Sequence, residues 1–199
     1  MMDVVPDNTN KAAFVLGKVF HPYIICVPTL FAVLNEFTFS EALGWSALVL
    51  AMLFVPGFSF VAYLKRQGKE VYERRTRDPL YLMAWFSVLA CLLVLVVLSA
   101  PRVLLACIAA LAVWLPLQLV INSFVTKVST HAAVVAGCTM GLVLLGKLDN
   151  LWLVLLVLVS IFATAWARVV TKNHTVPQVV MGLLTGSLPV LIVFPLMLC

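Results

Sequence analysis

The chain has 199 residues, of which 64% are hydrophobic and 11% charged, with a formal net charge of +5 and a mean hydropathy of +1.14. That little charge cannot cover the surface of a soluble domain of this size. Soluble globular classes are excluded, and with them a nucleic-acid-binding role.

A bilayer-spanning helix needs about 20 mostly apolar residues. Seven segments qualify: 12–34, 43–64, 80–100, 102–124, 129–146, 150–168 and 177–198. The chain reads as an all-α, polytopic integral-membrane helical bundle of six to seven transmembrane helices. It forms a single domain over 1–199, with 1–64 as an N-terminal helical hairpin. The first segment opens with Asn8, Thr9, Asn10 and Lys11 and is too long for a cleavable signal peptide. Pro101 divides 80–100 from 102–124, giving two crossings rather than one.

Cys26, Cys91, Cys107, Cys138 and Cys199 are scattered through apolar segments without metal-ligand spacing, and read as small buried hydrophobes. The sequence has no Walker loop, dinucleotide fingerprint, nucleophile elbow or internal repeat.

Seven crossings define two sides. The side of the N-terminus receives Lys11, Lys18, Lys65, Arg66, Lys69, Arg74, Arg75, Arg77, Lys127, Arg168 and Lys172. The other side receives only Arg102 and Lys147. The positive-inside rule makes the first side cytoplasmic. Three polar clusters, at 65–79, 127–131 and 168–178, all fall on it.

The first cluster carries Lys69, Arg74, Arg75, Arg77 and Asp78-Pro79. Alone it reads as a solvated loop of anchoring cations or a patch for anionic lipid. Asp78-Pro79 predicts a helix N-cap followed by proline at the first helical position, which holds Arg77 at the membrane surface. A guanidinium there suits bidentate phosphate binding. The second cluster is Lys127-Val128-Ser129-Thr130-His131. Ser129 or Thr130 caps the next helix, whose free N–H groups can bind an anion beside His131. His131 is then placed to give or take a proton. In the third cluster Arg168 ends one crossing and His174 precedes the next. The helix N-terminus favours a neutral, nucleophilic imidazole. Gln178, one turn on, can orient that ring by accepting its N–H. His21, beside Pro22 inside the first crossing, reads as a packing residue.

These clusters resemble the type 2 phosphatidic acid phosphatase superfamily of membrane lipid-phosphate phosphatases. The family pattern Ser-Arg-x5-His-x3-Asp is matched by Ala167-Arg168-x5-His174-x3-Gln178. Pro-Ser-Gly-His is matched in its serine and histidine by Val128-Ser129-Thr130-His131. Lys-x6-Arg-Pro is approached by Lys69 and Arg77, seven residues apart, with Asp78 before Pro79. The resemblance covers residues 65–182, within a core taken as 65–199. It implies a metal-independent phosphatase without cofactor, acting on a lipid phosphate such as a polyprenyl phosphate or diphosphate or a phosphatidic-acid-like lipid. His174 is then the nucleophile that forms a phosphohistidine, and His131 the acid for the leaving alcohol. Lys69, Arg74, Arg77, Lys127, Ser129, Thr130 and Arg168 are the expected phosphate-binding groups, and Gln178 takes the place of the family's orienting carboxylate.

Two other functions stay open on the sequence. Gln178 and Thr130 are the motif departures expected of a relative that binds or transports anionic lipid without hydrolysis. A purely structural membrane protein is the third reading. Gly182-x3-Gly186 and Ala132-x3-Ala136 are small-residue spacings that can pack helices within one chain or between copies in an oligomer.

Overall fold

The computed structural model describes the backbone of residues 8–68 and 74–198, and the side chains of 11–68 and 78–198. Lys69 therefore lies outside the described residues, and Arg74 and Arg77 are described by backbone alone. The helices are α1 (Asn8–Val19), α2 (Pro22–Val33), α3 (Phe39–Arg66), α4 (Arg74–Val97), α5 (Arg102–Val120), α6 (Thr130–Leu144), α7 (Leu151–Val170) and α8 (Val176–Leu198). The described residues contain no strand, and α5 runs on into a π-helical turn, Ile121–Val125. Five helices are long and apolar enough to cross a bilayer, and α1 with α2 makes a sixth if the bent pair is one span. The protein is an all-α integral-membrane bundle.

The seven even crossings expected from hydropathy are modified at two places. The first segment breaks at His21, and its two halves are bent by 40°. The cause is Pro22, whose ring pushes the preceding residue out of the helical region. His21 accordingly has φ −68 and ψ 140. The second departure is α6, which has only 15 residues. At 1.5 Å per residue that is about 22 Å, less than the ~30 Å hydrocarbon thickness. Residues 126–129, which precede it, are not helical. Non-helical backbone at such depth is tolerated only inside protein or beside a cavity. Val128 and Ser129 are both fully buried, and Ser129 N–H donates to the Gln178 carbonyl at 3.2 Å.

The start of α4 also differs from expectation. The helix begins at Arg74, so Asp78 is not its N-cap and Pro79 lies inside it. The Asp78 carboxylate instead accepts from Asn122 Nδ2 at 2.9 Å, tying α4 to the π-helical turn. A π turn shifts the register of the residues it carries and recurs at functional sites.

α6 and α8 form the closest seam. A methyl group on Gly182 would come within 2.5 Å of the Ser129 carbonyl oxygen, and one on Gly186 would fall on the Ala133 backbone. The small residues therefore pack helices within one chain. At the far end of the bundle Lys147 Nζ reaches Asn35 Oδ1 at 2.6 Å and the Glu36 carboxylate. This contact places the 34–38 and 145–150 turns together, opposite the 126–131 and 171–175 segments. The Lys147 ammonium holds the Glu36 carboxyl below the usual carboxylate range, but the pair is too exposed to add much stability.

Candidate active site

The start of α2, the start of α6, the end of α7 and the turn into α8 meet at one cavity of ≈ 300 Å³. Its polar wall is made by His21, Thr130, His131, Arg168, Asn173 and His174. Each comes from a helix end or from the turn beside one, and each of these has a local cause.

α2 starts after His21, whose Nδ1 accepts from Tyr23 N–H at 3.4 Å, with Pro22 at the first helical position. A neutral His21 with Nδ1 accepting keeps its proton on Nε2. Its ring meets His131 edge-on, with centroids 4.9 Å apart and planes at 87°. α6 starts after Ser129, whose Oγ accepts from Ala132 N–H at 3.4 Å. That hydroxyl is a cap, buried behind the cavity rather than lining it. Thr130, the next residue, does line it, and its Oγ1 is 3.1 Å from Tyr81 Oη.

Arg168 stands in the last turn of α7, where a cation complements the helix dipole. Its Nη2 donates to the Gly17 carbonyl at 3.3 Å, so α1 steadies the guanidinium. α7 closes at Thr171, and Lys172 takes φ 55. This left-handed residue turns the chain back, and His174 N–H donates to the Arg168 carbonyl at 3.1 Å. The six-residue spacing thus becomes a closed loop with Arg168 and His174 on one cavity wall.

Gln178 sits behind His174. Its Oε1 lies 3.3 Å from His174 Nδ1 and accepts from Thr175 N–H at 3.2 Å. Its Nε2 donates to Thr126 Oγ1 at 3.3 Å. With Oε1 accepting from a backbone N–H and Nε2 committed to a hydroxyl, the amide orientation is consistent with His174 Nδ1 acting as donor. His174 Nε2 then carries the lone pair. Thr175-Val176-Pro177-Gln178 is also half of a capping box, because the side chain of Gln178 reaches back to the backbone N–H three residues earlier.

Of the residues expected from sequence, His131, His174, Thr130 and Arg168 line the cavity. Gln178 touches His174 from outside it. Lys127 is half-buried in the extended segment and does not line the cavity. His21, Tyr81 and Asn173 line it without having been expected to. Only His21 carried a sequence signal, a polar residue before proline inside an apolar span. Among the described residues no group of three or more His, Cys, Asp or Glu side chains is arranged to hold a metal ion.

No family model, curated protein or solved structure matches this chain. What can be argued about chemistry therefore rests on the cavity itself. It has one guanidinium held against the Gly17 carbonyl, three imidazoles and the first turn of α6. That set complements an anion with several oxygens. The rest of the wall is apolar, including Leu53, Phe54, Leu111 and Val134.

Proposed function

We propose that the protein is a metal-independent phosphatase acting on the phosphate of a membrane lipid. The observation that carries this reading is the shared cavity wall of Arg168, His131 and His174, contributed from three separate helix ends. The reaction class is phosphoryl transfer to nitrogen. His174 Nε2 attacks phosphorus, the ester P–O bond breaks, and the leaving alkoxide takes a proton from His131. The product of this step is a phosphohistidine. Water then attacks phosphorus while His131 accepts its proton, and the P–N bond breaks with its electron pair returning to His174. Inorganic phosphate leaves. Charge on the equatorial oxygens is met by Arg168 and by the N-terminus of α6. Lys69, Arg74 and Arg77 are the further cations proposed to bind the phosphate.

The resemblance to the type 2 phosphatidic acid phosphatases supports the same roles for the same residues. The test is phosphate release from polyprenyl phosphates, diphosphates and phosphatidic acid in detergent. Activity persists in EDTA, and vanadate inhibits by mimicking five-coordinate phosphorus. A strict requirement for Mg²⁺ or Zn²⁺ refutes the mechanism.

One observation favours a second reading, binding or transport of an anionic lipid without turnover. Gln178 is neutral, so it orients His174 without stabilising a charged ring. Tight binding of lipid phosphate with no phosphate released decides for that reading.

Gln178 is itself testable. Gln178→Ala lowers kcat about 10-fold or more with a smaller change in KM, because the ring loses its acceptor. It also removes a helix-capping contact, at a cost of ~1 kcal/mol. Gln178→Glu keeps the cap and keeps or raises kcat. Unchanged kcat in both variants removes residue 178 from the mechanism.

The distribution of basic residues supports a cytoplasmic site. A cysteine probe at Gln67 is then labelled from the cytoplasm and one at Asn35 from outside. The opposite labelling pattern reverses the orientation.

A further inference from the structure

Beside the site lies a second cavity of ≈ 140 Å³, walled by α2, α3, α5, α6 and α8. The two share Cys26, Leu53, Phe54, Leu111, Trp114 and Val134 as lining residues. The first has an imidazole and guanidinium wall. The second is apolar almost throughout, with Gly137, Cys138 and Gly141 on its α6 side and Leu50 on its α3 side. Small residues on α6 leave the space open.

We propose that this inner chamber binds the part of the lipid's hydrocarbon chain next to the phosphate, drawing it into the bundle. The proposal rests on the phosphate-site reading above and adds where the chain goes. Continuity is the first support. A phosphate held by Arg168 and His174 has its ester oxygen pointing either back to the surface or inward past Trp114. The inward route meets an apolar void already formed. The pocket is partly open, so a hydrocarbon occupant can enter and gain dispersion contacts with its walls without the helices parting. Size is the second support. An apolar cavity of about 150 Å³ holds a six-carbon guest such as benzene. The chamber therefore takes about six carbons, or roughly one isoprene unit with its linkage.

Trp114 is the third support. It lines both cavities and is only 7% exposed, yet its indole N–H has no acceptor among the described residues. A buried N–H without a partner is costly. An ester oxygen passing between the two cavities would supply one. Leu53 and Phe54, at the same border, are half-buried. A longer chain can leave for the bilayer beside them.

The test uses the full chain in detergent with n-alkylphosphonates from methyl to octyl, whose C–P bond resists hydrolysis. Two plugs come from opposite walls, Cys138→Phe on α6 and Leu50→Trp on α3. In the wild-type protein each added methylene tightens binding up to about fourfold, levelling off near six carbons. In either plug the increment disappears while methylphosphonate affinity stays within about twofold. A wild-type series without an increment, or an increment kept in both plugs, overturns the proposal.

A photolabel serves if both plugs fail to fold. Hexylphosphonate with a terminal diazirine, photolysed on the wild-type protein, is expected to label Cys138, Gly141 or their chamber neighbours. Labelling confined to lipid-facing residues overturns the proposal. The two readings fail separately. If n-hexanol binds with a plug-sensitive increment and methylphosphonate does not bind at all, the chamber stands and the phosphate site falls.

Discussion

His174→Ala abolishes phosphate release, leaving at most a few per cent of wild-type kcat, while the protein stays folded. Loss of the proposed nucleophile would remove the covalent route, and among the described residues no other imidazole is held by Gln178. His131 lies on another helix against His21. Stability should survive because the ring is not a structural keystone. The backbone bond from His174 N–H to the Arg168 carbonyl remains, and Gln178 Oε1 keeps its bond from Thr175 N–H. Phosphate affinity should also survive, since Arg168 and the helix ends are untouched. The checks are kcat by phosphate release, melting temperature and vanadate binding, measured on His174→Ala and His174→Asn. Trapping of 32P on wild-type protein but not on the variants identifies the phosphohistidine. Substantial turnover by either variant ends the assignment.

Gly186→Ala should be among the most damaging single-methyl changes in the molecule. In a bilayer, helices gain little from apolar burial against each other, because lipid is equally apolar. They associate through close backbone contact instead. Gly186 supplies that contact, since its added methyl would sit on the Ala133 carbonyl, and Gly137, one turn further along α6, lies against the Gly186 carbonyl. The obstacle is backbone, so no side chain can swing away. The helices must part. Overpacking of this kind costs about 1–3 kcal/mol and sometimes more. Parting them also moves the 126–129 segment that carries the start of α6. The expected result is a lowered melting temperature together with lost activity. Gly44→Ala is the control. Nothing lies within 4 Å of its added methyl, and alanine is the better helix former by up to about 1 kcal/mol. Equal melting temperatures for the two variants would show that α6 and α8 have slack at this seam.

Composition and hydropathy determined the membrane class and nearly every helix, because in hydrocarbon each segment must satisfy its own backbone bonds and so reveals itself locally. Arg168, His174 and Gln178 were legible for a similar reason. Their spacing spans one α7–α8 turn, and a turn is a local object. The cap at Ser129 belongs to the same local chemistry, although Asp78 shows its limit. Asp78-Pro79 has the sequence of a helix start, yet Asn122, 44 residues away, holds that carboxylate and the helix begins earlier. His21 was read as a packing residue, and its ring does pack against His131, but the identity of that partner was not legible. A histidine before proline inside an apolar span has no visible partner in sequence. Only packing of α2 against α6 brings it to His131. The two cavities are likewise tertiary facts, set by how far glycines let α6 and α8 approach and by what space that leaves beneath α2 and α3. Apolar pattern says which face of a helix is buried. It does not say where the buried faces fail to meet, and that residual space is where a lipid would be held.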